Sequence, residues 1–336
     1  MRVFQTGGTG FIGGHVADAL REHGHEVVAL ARQGSDTSHL ARIGAVVVEG
    51  DITDAAAVEA GMQGTDAVVH CAAVVGPVGS WQHFETVGVG GTERVVKAAE
   101  RTGTRRVIHL GSTAVYGTDP RGRTFSESTP FEYKPEGWNH YVREKVLSER
   151  VLWEAHGFER IVATSIRPAI VLGPGDRHFL PRIRAAATSR FGGLVGAGTN
   201  YLAFAVVEEV AEAVVRALEN DETAGKSYNL AGTRRVTQRE MYNMVTDALG
   251  LPRVQRQRSF GRAMRSAGML ELAWKLAMRP GEPPVTRFGV ALIGQQYQVD
   301  SSKAAADLGW KGVSDFEDAI QRAVEWERVQ GSHVAG

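Results

Sequence analysis

The chain has 336 residues, with 38 Lys+Arg against 38 Asp+Glu, 43% apolar and 23% charged residues. That composition describes an ordinary globular protein with a sizeable core, and the even charge excludes the basic excess of a nucleic-acid binder. The single cysteine, Cys71, excludes a disulfide framework within the chain and fits a reducing cytoplasm. No signal-peptide pattern opens it, and no run of about 18 apolar residues offers a membrane span.

Val3 and Phe4 begin an apolar strand, glycines follow at 7, 8, 10 and 13, and a helical pattern then starts. Gly7 and Gly8 suit a sharp backbone turn. Gly10 lets the chain approach a pyrophosphate, and Gly13 allows tight packing of the helix on the strand. The helix N-terminus, with Phe11 and Ile12 in its first turn, offers free N–H groups and positive dipole to a dinucleotide. A strand over 26–31 ends at Arg32, where a ribose-binding acid is expected for NAD. A guanidinium there pairs with a 2′-phosphate, so NADP is the expected cofactor, with NAD as the second choice.

A third strand over 45–48 leads to Asp51, placed to accept from the adenine amino group, and Ile52, placed to pack on the ring. A helix over 55–62 and a strand over 67–70 deliver Cys71, Ala72 and Ala73, small residues that let the backbone approach the cofactor. His70 has no second Cys or His at ligand spacing, so no metal site is expected. The loop carrying Gly76, Pro77 and Trp81 follows a strand end and is expected near the ligand crevice. A helix over 83–101 and a strand over 106–110 then lead into Gly111-Ser112-Thr113-Ala114-Val115-Tyr116-Gly117.

A long irregular segment ends at Tyr141, where a helix carries Lys145 four residues on and on the same face. A strand over 161–166 runs into Arg167-Pro168 and Gly173-Pro174-Gly175-Asp176-Arg177-His178. Helices dominate beyond this point, including 179–188, 208–219 and an amphipathic, basic segment over 260–278. Thr237-x-x-Glu240 opens another helix as a capping box. Extended segments are expected over 201–205 and 227–231. The alternation of strands and helices implies an α/β, doubly wound parallel Rossmann sheet with a smaller, mostly helical C-terminal substrate lobe. The expected division gives 1–170 and 206–231 to the dinucleotide-binding domain, and 171–205 and 232–336 to the lobe.

Ser112, Tyr141 and Lys145 carry the chemistry. A free tyrosine, with a pKa of about 10, is a poor acid–base group at neutral pH. A lysine one helical turn away stabilises the phenolate and lowers that pKa. The serine hydroxyl is placed to hydrogen-bond a substrate oxygen beside the phenol.

These pieces together resemble an extended short-chain dehydrogenase/reductase of the NAD-dependent epimerase/dehydratase type. The matching motifs are Thr6-Gly7-Gly8-Thr9-Gly10-Phe11-Ile12-Gly13, Gly50-Asp51, Ala72-Ala73, the Gly111–Gly117 run, Tyr141-x-x-x-Lys145, Arg167-Pro168, Gly173–Asp176 and Leu308-Gly309-Trp310. Within the family the chain is most similar to the 3β-hydroxysteroid dehydrogenase-like and 2-alkyl-3-ketoalkanoate reductase branch, through Gly76-Pro77-x-x-x-Trp81, Leu180-Pro181-Arg182-Ile183 and Thr286-Arg287-Phe288. The resemblance implies hydride transfer at a secondary alcohol or ketone, with Lys145 on the nicotinamide ribose. It places Pro168 and Val171 along the nicotinamide, and it implies a homodimer through the helices over 83–101 and 141–156. Gly76, Pro77, Trp81, Thr113 and His178 are the substrate-side candidates, although a loop histidine such as His178 is more often solvated.

Three departures stand out. Gly88 occupies the place of a usual asparagine, Gln5 that of an apolar strand residue, and Phe204–Glu209 that of a His-Val-Asp-Asp-type stretch. Two rival functions use the same fold. A sugar-nucleotide epimerase needs a diphosphate clamp, for which Arg177, Arg182 and Arg184 are candidates. A non-enzymatic cofactor sensor commonly lacks the Tyr/Lys pair. The segment over 260–278 carries more apolar surface than one packed face needs, which suits a core helix, a lid over an apolar substrate or a weak membrane-surface contact.

Overall fold

The computed structural model describes residues 1–336 apart from 77–78, 119–121, 133, 190–191, 280, 282, 313–314 and 335–336. Pro77 lies outside the described residues. The central sheet contains β1 (Arg2–Thr6), β2 (Glu26–Ala31), β3 (Val46–Glu49), β4 (Ala67–His70), β5 (Arg106–Leu110), β6 (Val162–Pro168) and β7 (Ser227–Leu230). Their order is β7-β6-β5-β4-β1-β2-β3, and every neighbouring pair is parallel. The strand order reverses between β1 and β4, so a crevice opens beyond their carboxyl ends. Strands covered on both faces read as continuous apolar runs, as β4 does with all four residues buried.

Helices cover both faces. On one side α1 (Phe11–Glu22) lies against the later helix Val207–Glu219, and Val16, Leu20, Val210 and Val214 bury against Val3, Val69 and Ile108. On the other, α2 (Ala55–Met62), α3 (Gly90–Thr102) and α4 (His140–Gly157) place Met62, Val95 and Leu152 against Phe4, Val68 and Val107. Each such side chain contributes about 1.5–3 kcal/mol on leaving water.

The single helix expected over 83–101 is broken. Trp81–Phe84 is α-helical, Glu85–Val89 forms a π turn, and α3 follows. Glycines at 88, 90 and 91 hold the ladder weakly, and the side chain of Glu144 fills the space beside Gly88. The extended stretch expected over 201–205 is two strands with different partners: Tyr201–Leu202 pairs antiparallel with Val236–Thr237, while Phe204–Val206 pairs parallel with Ile170–Leu172. The strand expected over 161–166 continues to Pro168.

A separate apolar core lies in the later part of the chain. It joins α5 (Phe179–Thr188), α6 (Gln238–Ala248) and the final helix Phe316–Val334 through Leu180, Ile183, Met241, Val245, Phe316 and Ile320. The Thr237/Glu240 capping box opens α6 as its sequence requires. Beside this core, α7 (Phe260–Leu276) packs on α8 (Arg287–Ile293). Only Ala263 and Ala267 of α7 are fully buried, and Met269, Leu272, Leu276 and Met278 are exposed. No helix among the described residues is long and apolar enough to cross a membrane.

Candidate active site

The glycine turn closes on its neighbours at the crevice. Gly7 has φ +73°, and a Cβ there would lie 2.7 Å from the Ala72 nitrogen. A Cβ at Gly13 would lie 2.1 Å from the Gly7 carbonyl oxygen. The tight contact at Gly13 is therefore with the turn itself rather than with β1. Gly10 caps α1 without a side chain, and a Cβ there would meet only the Gly7 oxygen, at 3.2 Å. Space thus lies before the first-turn N–H groups of Phe11, Ile12 and Gly13, which have no intrahelical acceptor. These features fit a dinucleotide pyrophosphate.

Around this turn, buried polar groups fix the geometry. Gln5 is fully buried, and its Nε2 donates to the Gly13 carbonyl at 2.7 Å, which pins α1 to β1. The Ala72 N–H donates to Thr6 Oγ1 (3.2 Å), and the Thr6 hydroxyl lies 2.7 Å from His70 Nδ1. The Thr92 hydroxyl donates to the Gly88 carbonyl, so it accepts from His70 Nε2 at 3.1 Å. His70 is therefore a neutral Nε2–H tautomer, and burial holds its pKa well below the ordinary value, with His109 and Lys145 adding to the effect. The Cys71 thiol is pushed up to about 12 by burial and remains a thiol. Ala73 follows on the same half-buried edge.

Arg32 is exposed just past β2. The Asp51 carboxylate accepts from the Thr53 hydroxyl and N–H at 2.6 and 2.8 Å. That hydroxyl bond is the chief cause of its lowered pKa, and Arg32 and Arg94 contribute. Ile52 is buried and packs against Gly91 of α3. Opposite the glycine turn, the 173–176 loop bends over Phe11. A Cβ at Gly175 would lie 3.3 Å from the Phe11 ring, and His15 Nε2 is 2.9 Å from the Pro174 carbonyl. Asp176 accepts from the N–H groups of His178, Phe179 and Leu180 and caps α5. Pro168 is buried at the end of β6, and Val171 is half-buried in the short strand beyond it.

Ser112 lies two residues past β5, and its Oγ accepts from the Ala114 N–H at 3.1 Å, capping a 3-10 turn over Thr113–Tyr116. That turn packs on α4. Asn139 caps α4, accepting from the Val142 N–H. Tyr141 is thereby fixed in the first helical turn, half-buried, with its ring 5.1 Å from that of Phe288 on α8. Lys145 follows one turn later, 4% exposed. Its Nζ is 5.5 Å from the Tyr141 ring centroid and 3.5 Å from Glu144 Oε2. Burial alone lowers a lysine's pKa; the Glu144 carboxylate, with Tyr141 and Glu149, leaves that of Lys145 raised.

The serine turn is braced from behind. Arg167 pairs with buried Glu149 and donates through Nη1 to the Tyr116 hydroxyl at 2.7 Å. That hydroxyl donates to Asn229 Oδ1 at 2.8 Å. Tyr297 donates to the Thr113 carbonyl at 2.8 Å, and the Thr113 side chain is itself buried. Trp81 lies under the Arg143 guanidinium, 3.6 Å from ring centroid to Cζ, beside the start of α4. Gly76 has φ +96° and is buried in the preceding loop. Sequence reasoning assigned no role to Glu144, His109 or Tyr297, and Phe288 entered it only as part of a branch motif. For Glu144 there was a signal, the missing side chain at Gly88.

A doubly wound parallel sheet, a glycine turn at its switch point and a Tyr-x-x-x-Lys helix beside a serine turn define an extended short-chain dehydrogenase/reductase, an NAD-dependent enzyme class. The model of the NAD dependent epimerase/dehydratase family matches residues 3–231, and the chain belongs to that family. Among its relatives is the 2-alkyl-3-oxoalkanoate reductase of Stenotrophomonas maltophilia, 29% identical over 328 residues, spanning 96% of this chain and 98% of that one. The 3beta-hydroxysteroid-dehydrogenase/decarboxylase isoform 1 of Arabidopsis thaliana is 29% identical over 291 residues, 83% of this chain and 66% of that one. The fold is shared with DesIV, a dTDP-glucose 4,6-dehydratase from Streptomyces venezuelae solved with NAD bound. That likeness has a TM-score of 0.78 at 24% identity and covers 99% and 98% of the two chains.

Proposed function

We propose that this oxidoreductase reduces a ketone on an apolar, β-keto acyl-like or steroid-like substrate, with Ser112, Tyr141 and Lys145 as its catalytic residues. The observation that carries this reading is the setting of Tyr141. Its phenol lies one helical turn from a buried ammonium, and its ring packs on Phe288 in an apolar cluster that also holds Trp138 and Leu292. The glycine turn, Arg32, Asp51, Ile52, the Cys71–Ala73 edge, Pro168 and Val171 line the cofactor's path. When bound, the reduced nicotinamide supplies a hydride. Ser112 hydrogen-bonds the carbonyl oxygen and orients it. The Tyr141 phenol gives that oxygen its proton as the carbon accepts the hydride. Lys145 stabilises the resulting phenolate until solvent reprotonates it. The products are a secondary alcohol and the oxidised dinucleotide.

NADPH is the preferred cofactor in this reading, supported by exposed Arg32 and the absence of an acid at its position. Trp81, Thr113, His178 and the Gly76–Pro77 loop form the substrate side. The same family resemblance supports a homodimer through α3 and α4, which light scattering tests against the 36.2 kDa of one chain. The one cysteine supports a cytoplasmic location. An epimerase's diphosphate clamp finds less support, because Arg184 is engaged by Glu327. The test is turnover of 2-alkyl-3-ketoalkanoates, 3-keto steroids and nucleotide sugars with each dinucleotide. Ketone-dependent NADPH consumption is expected; epimerisation with retained NAD and no ketone turnover overturns the reading.

A further inference from the structure

Behind the Tyr141–Lys145 pair lies a second acid. Glu144 is 1% exposed, and Ser148 donates to its Oε1 at 3.0 Å. Among the described residues its Oε2 has no hydrogen-bond donor, and it faces the Lys145 ammonium at 3.5 Å. The side chain lies there because residue 88 is glycine. A Cβ at Gly88 would stand 2.4 Å from Glu144 Cγ and Oε1. The π turn over Glu85–Val89 and the carboxylate of α4 are thus one fitted arrangement.

The other titratable neighbours of Lys145 are committed elsewhere. Burial keeps His70 and His109 neutral and Cys71 a thiol. Glu149, on the same helix, is closed on Arg167. Of the two carboxylates that act on the ammonium, Glu144 has the larger effect and Glu149 adds to it.

We propose that Glu144 is a positioning residue that tunes Tyr141 through Lys145, offsetting part of the ammonium's field so that the phenol keeps its proton, the form that ketone reduction consumes, to higher pH. An ammonium beside a phenol favours the phenolate, and a carboxylate behind that ammonium opposes the effect. A protonated phenol is the form that reduction consumes and oxidation requires to be lost. This inference rests on the proposed reductase function for its direction, but the ionisation can be read without turnover.

The experiment titrates tyrosinate absorbance of wild type and Glu144→Gln, each against the same protein carrying Tyr141→Phe. The midpoint belonging to Tyr141 is expected to fall by about one pH unit in Glu144→Gln. Glu144→Asp, which keeps the charge, is expected to hold it near wild type. Gly88→Ala displaces the carboxylate without removing it and is expected to reproduce the fall. It also carries the test if Glu144→Gln does not fold. Where wild type reduces a ketone, the alkaline limb of kcat moves down with the midpoint. A midpoint that stays or rises in a folded variant overturns the proposal. A midpoint that falls in an enzyme with no ketone turnover overturns only the functional reading.

Discussion

Arg167 closes on Glu149 inside the protein, its Nε 2.9 and 3.1 Å from the two carboxylate oxygens, with both side chains almost wholly buried. The pair joins β6 to α4, and through Tyr116 it holds the serine turn. Removing one partner leaves the other charged and unpaired. Glu149→Ala is therefore expected to cost about 3–5 kcal/mol, measured by urea unfolding. A cost under about 1 kcal/mol means the pair is not a structural tie.

Tyr141→Phe removes the proposed proton donor and leaves the cleft's shape. It is expected to lower kcat by about 10²–10⁴-fold, with the dissociation constant for NADPH within about threefold of wild type. Lys145→Met is expected to lower kcat and also weaken dinucleotide binding. Wild-type turnover by Tyr141→Phe would falsify its assigned role.

Arg32 lies past the end of β2 with its guanidinium in solvent. Arg32→Ala is expected to weaken NADPH binding about tenfold, the loss of one charge-assisted phosphate contact, and to leave NADH nearly unchanged. Isothermal titration with the two cofactors decides it. Equal or tighter NADH binding by wild type defeats the assignment.

His109 is buried 5.4 Å from the His70 ring, and neither of its ring nitrogens has a hydrogen-bond partner among the described residues. Burial, aided by Lys145 and Arg167, lowers its pKa to about 3. Between that value and the ordinary 6.5, the unfolded chain binds a proton that the folded chain does not. Stability therefore falls as pH drops below about 6.5, by about 1.4 kcal/mol per pH unit for each such histidine. Above that range the group contributes no slope. His109→Leu is expected to flatten the decline in unfolding free energy between pH 6.5 and 5, and an unchanged slope contradicts this account.

α7 packs on α8, which carries Phe288 to Tyr141. Leu270 lines a cavity of about 80 Å³ with Thr286, Val290 and Ile293 of the α8 region. Leu270→Ala/Trp274→Ala is expected to raise KM for an apolar ketone several-fold and to leave NADPH binding intact. An unfolded double mutant, or one with normal KM, shows that α7 is only a packed helix.

Geometry set by local spacing was readable in the chain. Gly7, Gly10 and Gly13 act within one turn, and Tyr141 and Lys145 share one helix face. The contacts that hold these groups were not readable, because their partners are far apart in sequence. Tyr297 reaches Thr113 across 184 residues and Arg167 reaches Tyr116 across 51. Gln5 looked like an anomaly in an apolar strand until the Gly13 carbonyl, eight residues on, was seen as its partner. The helix break at Glu85–Val89 is matched by a side chain from another helix, Glu144, which fills the space beside Gly88 and cannot be read from local spacing.

The Tyr297–Thr113 bond has a mechanical consequence. Just beyond it, Gln298–Val299 pairs in parallel with Thr124–Phe125, so this part of the later chain is riveted to the segment that bears Ser112. The cleft resembles a vise with one jaw bolted to the bench. On the other side, the Glu271 carboxylate of α7 accepts from the Arg287 N–H and Nε, so α7 is tied in turn to α8.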